Sequence, residues 1–418
     1  MPLEARRSQK TYSRTRGAHS HFLKRFHAKP FFLLSDLVKV LHIITGLSTG
    51  GAEMMLCKLC ESFDRDNYPM TVLSLMDSGT LGKRIEHAGV PVLTLGLTRG
   101  SLSLFAIRNI VQIVRSIKPD VLQGWMYHGN LAASLASKLF NNRIPVVWNV
   151  RQTLYNLDKE KFLTRLVIRL GSFFSDHPAK TIYNSRLSRA QHQDLGYSKR
   201  NSIIIPNGFN VERFSPSDAS RSRIRKELGV SPNTLLIGLI ARYHPMKDHK
   251  NFLHAASIFS KREQNVKFVM AGRGVDPSNR DLIELISSYG VSERVQLLGE
   301  RGDVEDISAA LDILTSSSAW GEGFSNVIAE AMACGVPCVV TDVGDSSHVV
   351  GEYGVVVPPT DSVALSSAWR KLVEGGRDGL RSLGQSARQR VIKEFSIDSV
   401  ALTYSELYKR VVADASRR

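Results

Sequence analysis

Cysteine is scarce in this chain: Cys57, Cys60, Cys334 and Cys338 are the only four in 418 residues. So few thiols, set in helical patterns, exclude a disulfide scaffold and fit a reducing cytoplasm. Cys57-Lys-Leu-Cys60 has no second Cys or His pair at ligand spacing, and both thiols fall on the apolar face of a helical run, so they read as core. Long hydrophobic runs are missing as well. No stretch reaches the roughly 18 apolar residues of a membrane-spanning helix, and Phe31-Phe-Leu-Leu stops at Asp36 and Lys39. Without an apolar core, residues Met1 to Pro30 are not a secretory signal. Negative charge is the third shortage, with 39 Asp and Glu against 55 Lys and Arg, a net +16 and a pI near 9.8. That surplus implies an anionic partner: a phosphate-bearing substrate, an anionic membrane surface or nucleic acid. The last is disfavoured, because no module interleaves basic residues with exposed aromatics. Asp64-Arg-Asp66 follows a helix, has no acidic neighbours and reads as a loop pair, so no metal and no cofactor is expected.

The length suffices for two domains with full cores, and 43% hydrophobic with 22% charged residues is ordinary for a globular protein. Residues 1–30 carry eight Lys or Arg against Glu4 alone and read as a basic arm. Such an arm suits anionic lipid headgroups and a solvated tail equally. Beyond it, strand candidates recur at Val38–Thr45, Thr71–Leu75, Val92–Leu95, Val121–Gln123, Val146–Asn149 and Lys180–Tyr183. Helical patterns such as Ser103–Ile117 and Leu131–Phe140 separate them. This alternation predicts a doubly wound parallel sheet with ligand sites at the carboxyl ends of its strands. After the first strand, Gly50 and Gly51 would let backbone approach a ligand closely. After another stand Trp125, Tyr127 and His128, where the aromatics would wall a cleft and His128 would meet a substrate through its backbone or ring.

The most informative stretch is Ala319–Cys338. An apolar run, Leu311–Leu314, turns through Gly321 and Gly323 into a helix closed by Gly335 and Pro337. The first-turn amides, those of Phe324, Ser325, Asn326 and Val327, carry the positive end of the helix dipole and suit a phosphate. Glu322 in the turn and Glu330 two helical turns on flank this cradle, and carboxylates accept from sugar hydroxyls. One diphosphate and two sugars could be read together. Further upstream, Leu235–Ala241 reads as a strand followed at once by Arg242 and Lys247, two cations that would stabilise a departing nucleoside diphosphate.

Glu322-Gly-Phe-Ser-Asn-Val-Ile-Ala-Glu330-Ala-Met-Ala-Cys-Gly-Val-Pro-Cys-Val-Val-Thr-Asp342 resembles the donor-binding segment of glycosyltransferase family 4. The likeness spans roughly residues 38 to 395. Gly50-Gly-Ala-Glu53 resembles a cleft-facing turn of that family, and Pro206-Asn-Gly208 its hinge, with Phe209 and Asn210 as departures. The resemblance implies an α/β, GT-B architecture of two Rossmann-like domains facing a cleft. It places the acceptor domain over 31–205, the nucleotide-sugar domain over 206–390, and a final helix, 391–418, against the first domain. It also implies Arg242 and Lys247 on the diphosphate, Glu330 on ribose, Glu322 on the transferred sugar, and the segment around Arg301 near the base. The family's cleft histidine motif is altered, with Gln123 and Trp125 in its place, and His128 takes that role here. The implied function is metal-independent, retaining transfer from a nucleoside diphosphate sugar to a saccharide or polyprenyl-diphosphate-linked acceptor in surface polysaccharide or lipopolysaccharide synthesis. It would run in the cytoplasm or on the inner membrane face. The alternative is a non-catalytic sugar-nucleotide-binding protein of the same fold.

Overall fold

The computed structural model describes residues 37–98, 104–141, 143–154 and 162–417. The basic arm, residues 1–30, lies outside them. Runs of Val, Ile and Leu form parallel strands, and turns carry the chain from most of them into a covering helix. The first sheet comprises β1 (Val40–Ile44), β2 (Met70–Ser74), β3 (Val92–Thr94), β4 (Val121–Trp125), β5 (Val146–Val150), β6 (Lys180–Tyr183) and β7 (Ser202–Ile204). The second comprises β8 (Leu235–Ile240), β9 (Val266–Ala271), β10 (Val295–Leu297), β11 (Ile313–Ser316), β12 (Cys338–Thr341) and β13 (Gly354–Val357). Helices cover both faces, which is why the central strands are mostly apolar and all of β1 and β4 is buried, His42 and Gln123 included.

Spatial order fixes where ligands go. The sheets run β3-β2-β1-β4-β5-β6-β7 and β10-β9-β8-β11-β12-β13, so winding reverses once in each, between β1 and β4 and between β8 and β11. At such a reversal the loops diverge and leave a crevice at the carboxyl ends of the strands. All the sequence candidates except Arg301 follow β1, β4, β8 or β11.

Three local readings need correction. β11 begins at Ile313, because Leu311 ends the helix Val304–Ala310 and Asp312 turns to bind Arg221 and Arg225. The hinge segment, which in the sequence runs from Ile203 through Pro206-Asn-Gly208, opens inside the edge strand β7, where Ile203 and Ile204 pair with Ile182 and Tyr183 of β6. The helix expected from Leu131 starts at Met126, whose φ of 58° turns the chain abruptly out of β4. Trp125 and Tyr127 therefore do not wall the cleft. They are 0% and 5% exposed, and their polar handles find interior partners: the Trp125 indole donates to His42 Nδ1 at 3.1 Å, and the Tyr127 hydroxyl pairs with His192 Nε2 at 2.9 Å.

The chain crosses between lobes twice, and the crossings pair with each other. The Phe209 amide donates to Phe395 O at 2.9 Å and the Ile397 amide to Phe209 O at 2.8 Å. Beyond the second crossing, helix Ile397–Ser416 packs Val400, Tyr404, Leu407, Tyr408 and Val411 into the core of the first lobe. The Tyr404 hydroxyl accepts from Asn149 at 2.8 Å and from Arg151 at 3.1 Å. Arg151 also donates to Pro206 O at 3.1 Å, so the returning helix steadies the crossing it runs beside.

Candidate active site

β8 ends in apolar residues and releases the chain at Ala241, with Arg242 next and exposed. A single tight turn, Pro245–Lys247, then sets Lys247. His244 caps it by accepting from the Met246 amide at 3.2 Å, and proline holds its first position. Asp248, with φ 46°, ends the turn and caps helix His249–Ser260 by accepting from the Asn251 amide at 3.0 Å. Ser317, just past β11, donates to the carbonyl of Lys247 at 2.9 Å and joins the two switch-point loops.

Lys247 Nζ is thereby placed against the Glu322 carboxylate in an ion pair. Glu322 is only 6% exposed, and Ser318 Oγ donates to its Oε1 at 2.6 Å. The turn carrying Glu322 is wedged from behind by Gly344, at φ 64°. A Cβ there would lie 2.1 Å from the Glu322 carbonyl oxygen, so only glycine fits. Gly323 is tight on its other side, since a Cβ would lie 2.9 Å from Thr153 of the first lobe.

The turn feeds helix Asn326–Ala333. Its N-cap, Ser325, makes no side-chain cap bond, and its buried Oγ has no hydrogen-bond partner. Orphan amides beside an unsatisfied hydroxyl have the chemistry to hold an anion. Phe324 contributes backbone alone, because its ring stacks on Phe209 at 5.9 Å and meets Phe395 edge-on at 5.6 Å. Asn326 is exposed and its Oδ1 accepts from Asn207 of the first crossing at 2.7 Å, while Val327 is half-buried against the core. Glu330 is half-buried on this helix. Burial raises its pKa, opposed by Lys58 from the first lobe and by Arg213.

Arg301 and Arg242 line one cavity of about 350 Å³ with Ile240, Ala241, Gly272 and Val304. The Arg301 guanidinium is already engaged, at 2.8 Å from Asp303 and 2.6 Å from Glu227, and these carboxylates raise its pKa. It shapes the cavity more than it offers charge to it.

On the first lobe, Gly50 caps helix Gly51–Ser62. A Cβ at Gly50 would strike the Glu53 carboxylate, which folds back over the helix start, whereas Gly51 faces open space. His128 lies half-buried in the first turn of helix Met126–Leu139, and burial lowers its pKa, favouring the neutral ring. Asp64 does loop work, accepting from the Asp66 amide at 3.1 Å and from the Asn67 side-chain amide at 2.8 Å. Among the described residues no group of three or more His, Cys, Asp or Glu is placed to hold a metal ion.

Asp345 stands in no motif that singles it out. Its carboxylate crosses the cleft to accept from the amides of Arg186 and Leu187 at 2.8 and 3.2 Å, at the start of helix Arg186–Asp194 in the first lobe. Its own amide donates to Gly323 O at 2.9 Å, so the lobe contact and the Glu322 turn share one residue. Lys58, between the two first-lobe cysteines, was equally hidden; its Nζ donates to Gly208 O at 3.2 Å and lies over the Phe209 ring.

A profile described as Glycosyltransferase Family 4 matches residues 49–213, and one described as Glycosyl transferases group 1 matches residues 234–375. The chain belongs to glycosyltransferase family 4. The enzyme is 24% identical over 378 residues to the putative glycosyltransferase EpsF of Bacillus subtilis, covering 85% of this chain and 95% of that one. It is 25% identical over 282 residues to the lipopolysaccharide core biosynthesis mannosyltransferase LpsB of Rhizobium meliloti, covering 64% and 80%. Among solved structures, Anabaena Alr3699/HepE in complex with UDP superposes with a TM-score of 0.75 at 22% identity, over 89% of this chain and all of that one. The fold of this glycosyltransferase is thus GT-B.

Proposed function

We propose that this glycosyltransferase moves a sugar from a nucleoside diphosphate sugar to a saccharide or polyprenyl-diphosphate-linked acceptor, with retention and without a metal ion. The observation that carries the reading is the contact of Lys247 with Glu322, which joins the loops after β8 and β11 beside an uncapped helix start. Complexes of HepE with UDP and with UDP-glucose support a nucleoside diphosphate sugar as the donor class. The name of LpsB supports a role in polysaccharide or lipopolysaccharide assembly.

The β-phosphate sits at the amides following Ser325, with Arg242 and Lys247 on its oxygens. Glu330 accepts from ribose hydroxyls, and Glu322 from those of the transferred sugar. The bond between C1 and the phosphate oxygen breaks, and its electron pair leaves on the diphosphate, where the two cations meet it. The acceptor oxygen bonds to C1 on the same face and gives its proton to the departing phosphate. Glu322, held by Lys247 and Ser318, positions the sugar and is not a free nucleophile. His128, neutral, accepts from a sugar hydroxyl across the cleft.

Nucleotide release measured over a panel of nucleotide sugars, with the product anomer read by NMR, tests this. Turnover of one donor with its configuration kept is expected. Inversion would refute the front-face route, and tight donor binding without turnover on any acceptor would favour the non-catalytic alternative.

A further inference from the structure

Helix Phe162–Phe174 is dressed the wrong way round for a surface helix, which normally turns its apolar stripe to the core. Here Phe162 is 70% exposed, Leu163 58%, Leu166 46%, Leu170 43% and Phe173 82%. At 100° per residue these five lie on one arc, with Arg165 and Arg169 along its edge, and Arg165 lies over the Phe162 ring. The opposite side is firmly seated. Ile168 and Gly171 are buried, and the Tyr197 hydroxyl donates to Ile168 O at 2.9 Å, so the ridge is held outward on a fixed support. Contiguous apolar surface of this kind marks an interaction site.

Charge identifies the partner. Helices Leu104–Ile117, Met126–Leu139 and Phe162–Phe174 pack in succession, and their sequences hold Arg108, Arg115, Lys138, Arg165 and Arg169 without one Asp or Glu. Lys138 lies over the Phe174 ring at 4.6 Å, which ties its charge to the ridge. We propose that this face docks on an anionic phospholipid surface, with the Phe and Leu side chains entering the boundary between headgroups and acyl chains and the cations meeting lipid phosphates. A second copy of this chain fits poorly, because a two-fold contact would set the same cations against each other.

The helix also has a place in the reaction. It follows β5, whose carboxyl end carries Thr153 to the donor turn at Gly323, so its Phe162 end lies on the cleft side of the lobe. Docked there, the acceptor lobe would present its cleft to a lipid-linked saccharide, a link that rests on the function proposed above. The docking itself is read without turnover.

Full-length protein is floated with vesicles of phosphatidylglycerol and phosphatidylcholine, and with phosphatidylcholine alone. The wild type should partition to the mixed vesicles. Phe162→Ser with Phe173→Ser should lower that partition at least tenfold with its circular dichroism and Tm unchanged, since both rings are exposed. Arg165→Glu with Arg169→Glu should act likewise, whereas a full-length chain with the cations of residues 1–30 replaced by Ser should keep most of its binding. A wild type that ignores mixed vesicles would overturn the proposal. So would a Phe variant that binds like the wild type, or one that instead changes oligomeric mass. Vesicle binding with no transfer from any donor would refute the proposed function and leave the docking face standing.

Discussion

Lys247 and Glu322 each make the other's burial tolerable. Removing one partner of a buried pair leaves an uncompensated charge and costs about 3–5 kcal/mol. Lys247→Ala is therefore expected to lower Tm as well as turnover, and Lys247→Ala combined with Glu322→Gln should recover much of the Tm but none of the activity. Calorimetry beside a donor assay checks both halves; recovery of turnover in the pair would show that the two residues serve the fold alone. Glu330 behaves in the opposite sense, because burial already penalises its charge. Glu330→Gln should leave Tm unchanged or raised, while donor KM rises about tenfold, equivalent to about 1.4 kcal/mol from one charge-assisted hydrogen-bond pattern. An unchanged KM would remove Glu330 from the ribose.

At the scale of elements, the start of helix Arg186–Asp194 receives a carboxylate from the other lobe. Asp345 places negative charge where the helix dipole and two amides favour it, and the same residue braces the Glu322 turn. Asp345→Ala is expected to open the cleft, read as a larger radius of gyration by small-angle scattering, and to raise donor KM several-fold. A variant as compact as the wild type with unaltered KM would leave the bridge without consequence. Such contacts were beyond the sequence. Strands announced themselves by β-branched runs, and Glu322, Glu330, Arg242 and Lys247 stand in short motifs that could be singled out by their resemblance to a family signature. Asp345, Lys58 and Thr153 act across long separations, and nothing in their neighbours says which partner folding will bring. Trp125 and Tyr127 misled because hydrophobic periodicity does not reveal a left-handed residue such as Met126, whose turn starts the helix early.

For the whole molecule, acid should be the weak side. His42 is held neutral by burial with its pKa lowered to about 3, and His192 and His249 to about 4, against an ordinary 6.5. The unfolded chain binds protons at these sites below pH 6.5 and the folded chain does not, so stability falls from pH 6.5 down to about 4. A Tm series across that range should decline, and His192→Gln should make the decline shallower while His42 and His249 still drive it; a level series would contradict the buried neutral rings. Parallel, doubly wound sheets were legible from alternating strands and helices, and their division between two lobes from the family resemblance. The pairing of the two crossings at Phe209 and Phe395 was not, since it joins segments far apart in the chain.

The central claim is that a diphosphate is gripped by the loops after β8 and β11 at the uncapped helix start. Arg242 gives the cleanest test, being exposed on the cavity wall so that its loss leaves the buried Lys247 and Glu322 pair intact. In donor kinetics of Arg242→Ala, kcat/KM should fall by about 10²–10³, of order 3–4 kcal/mol of transition-state stabilisation, with Tm unchanged. Wild-type kcat/KM in a folded Arg242→Ala protein would contradict the account.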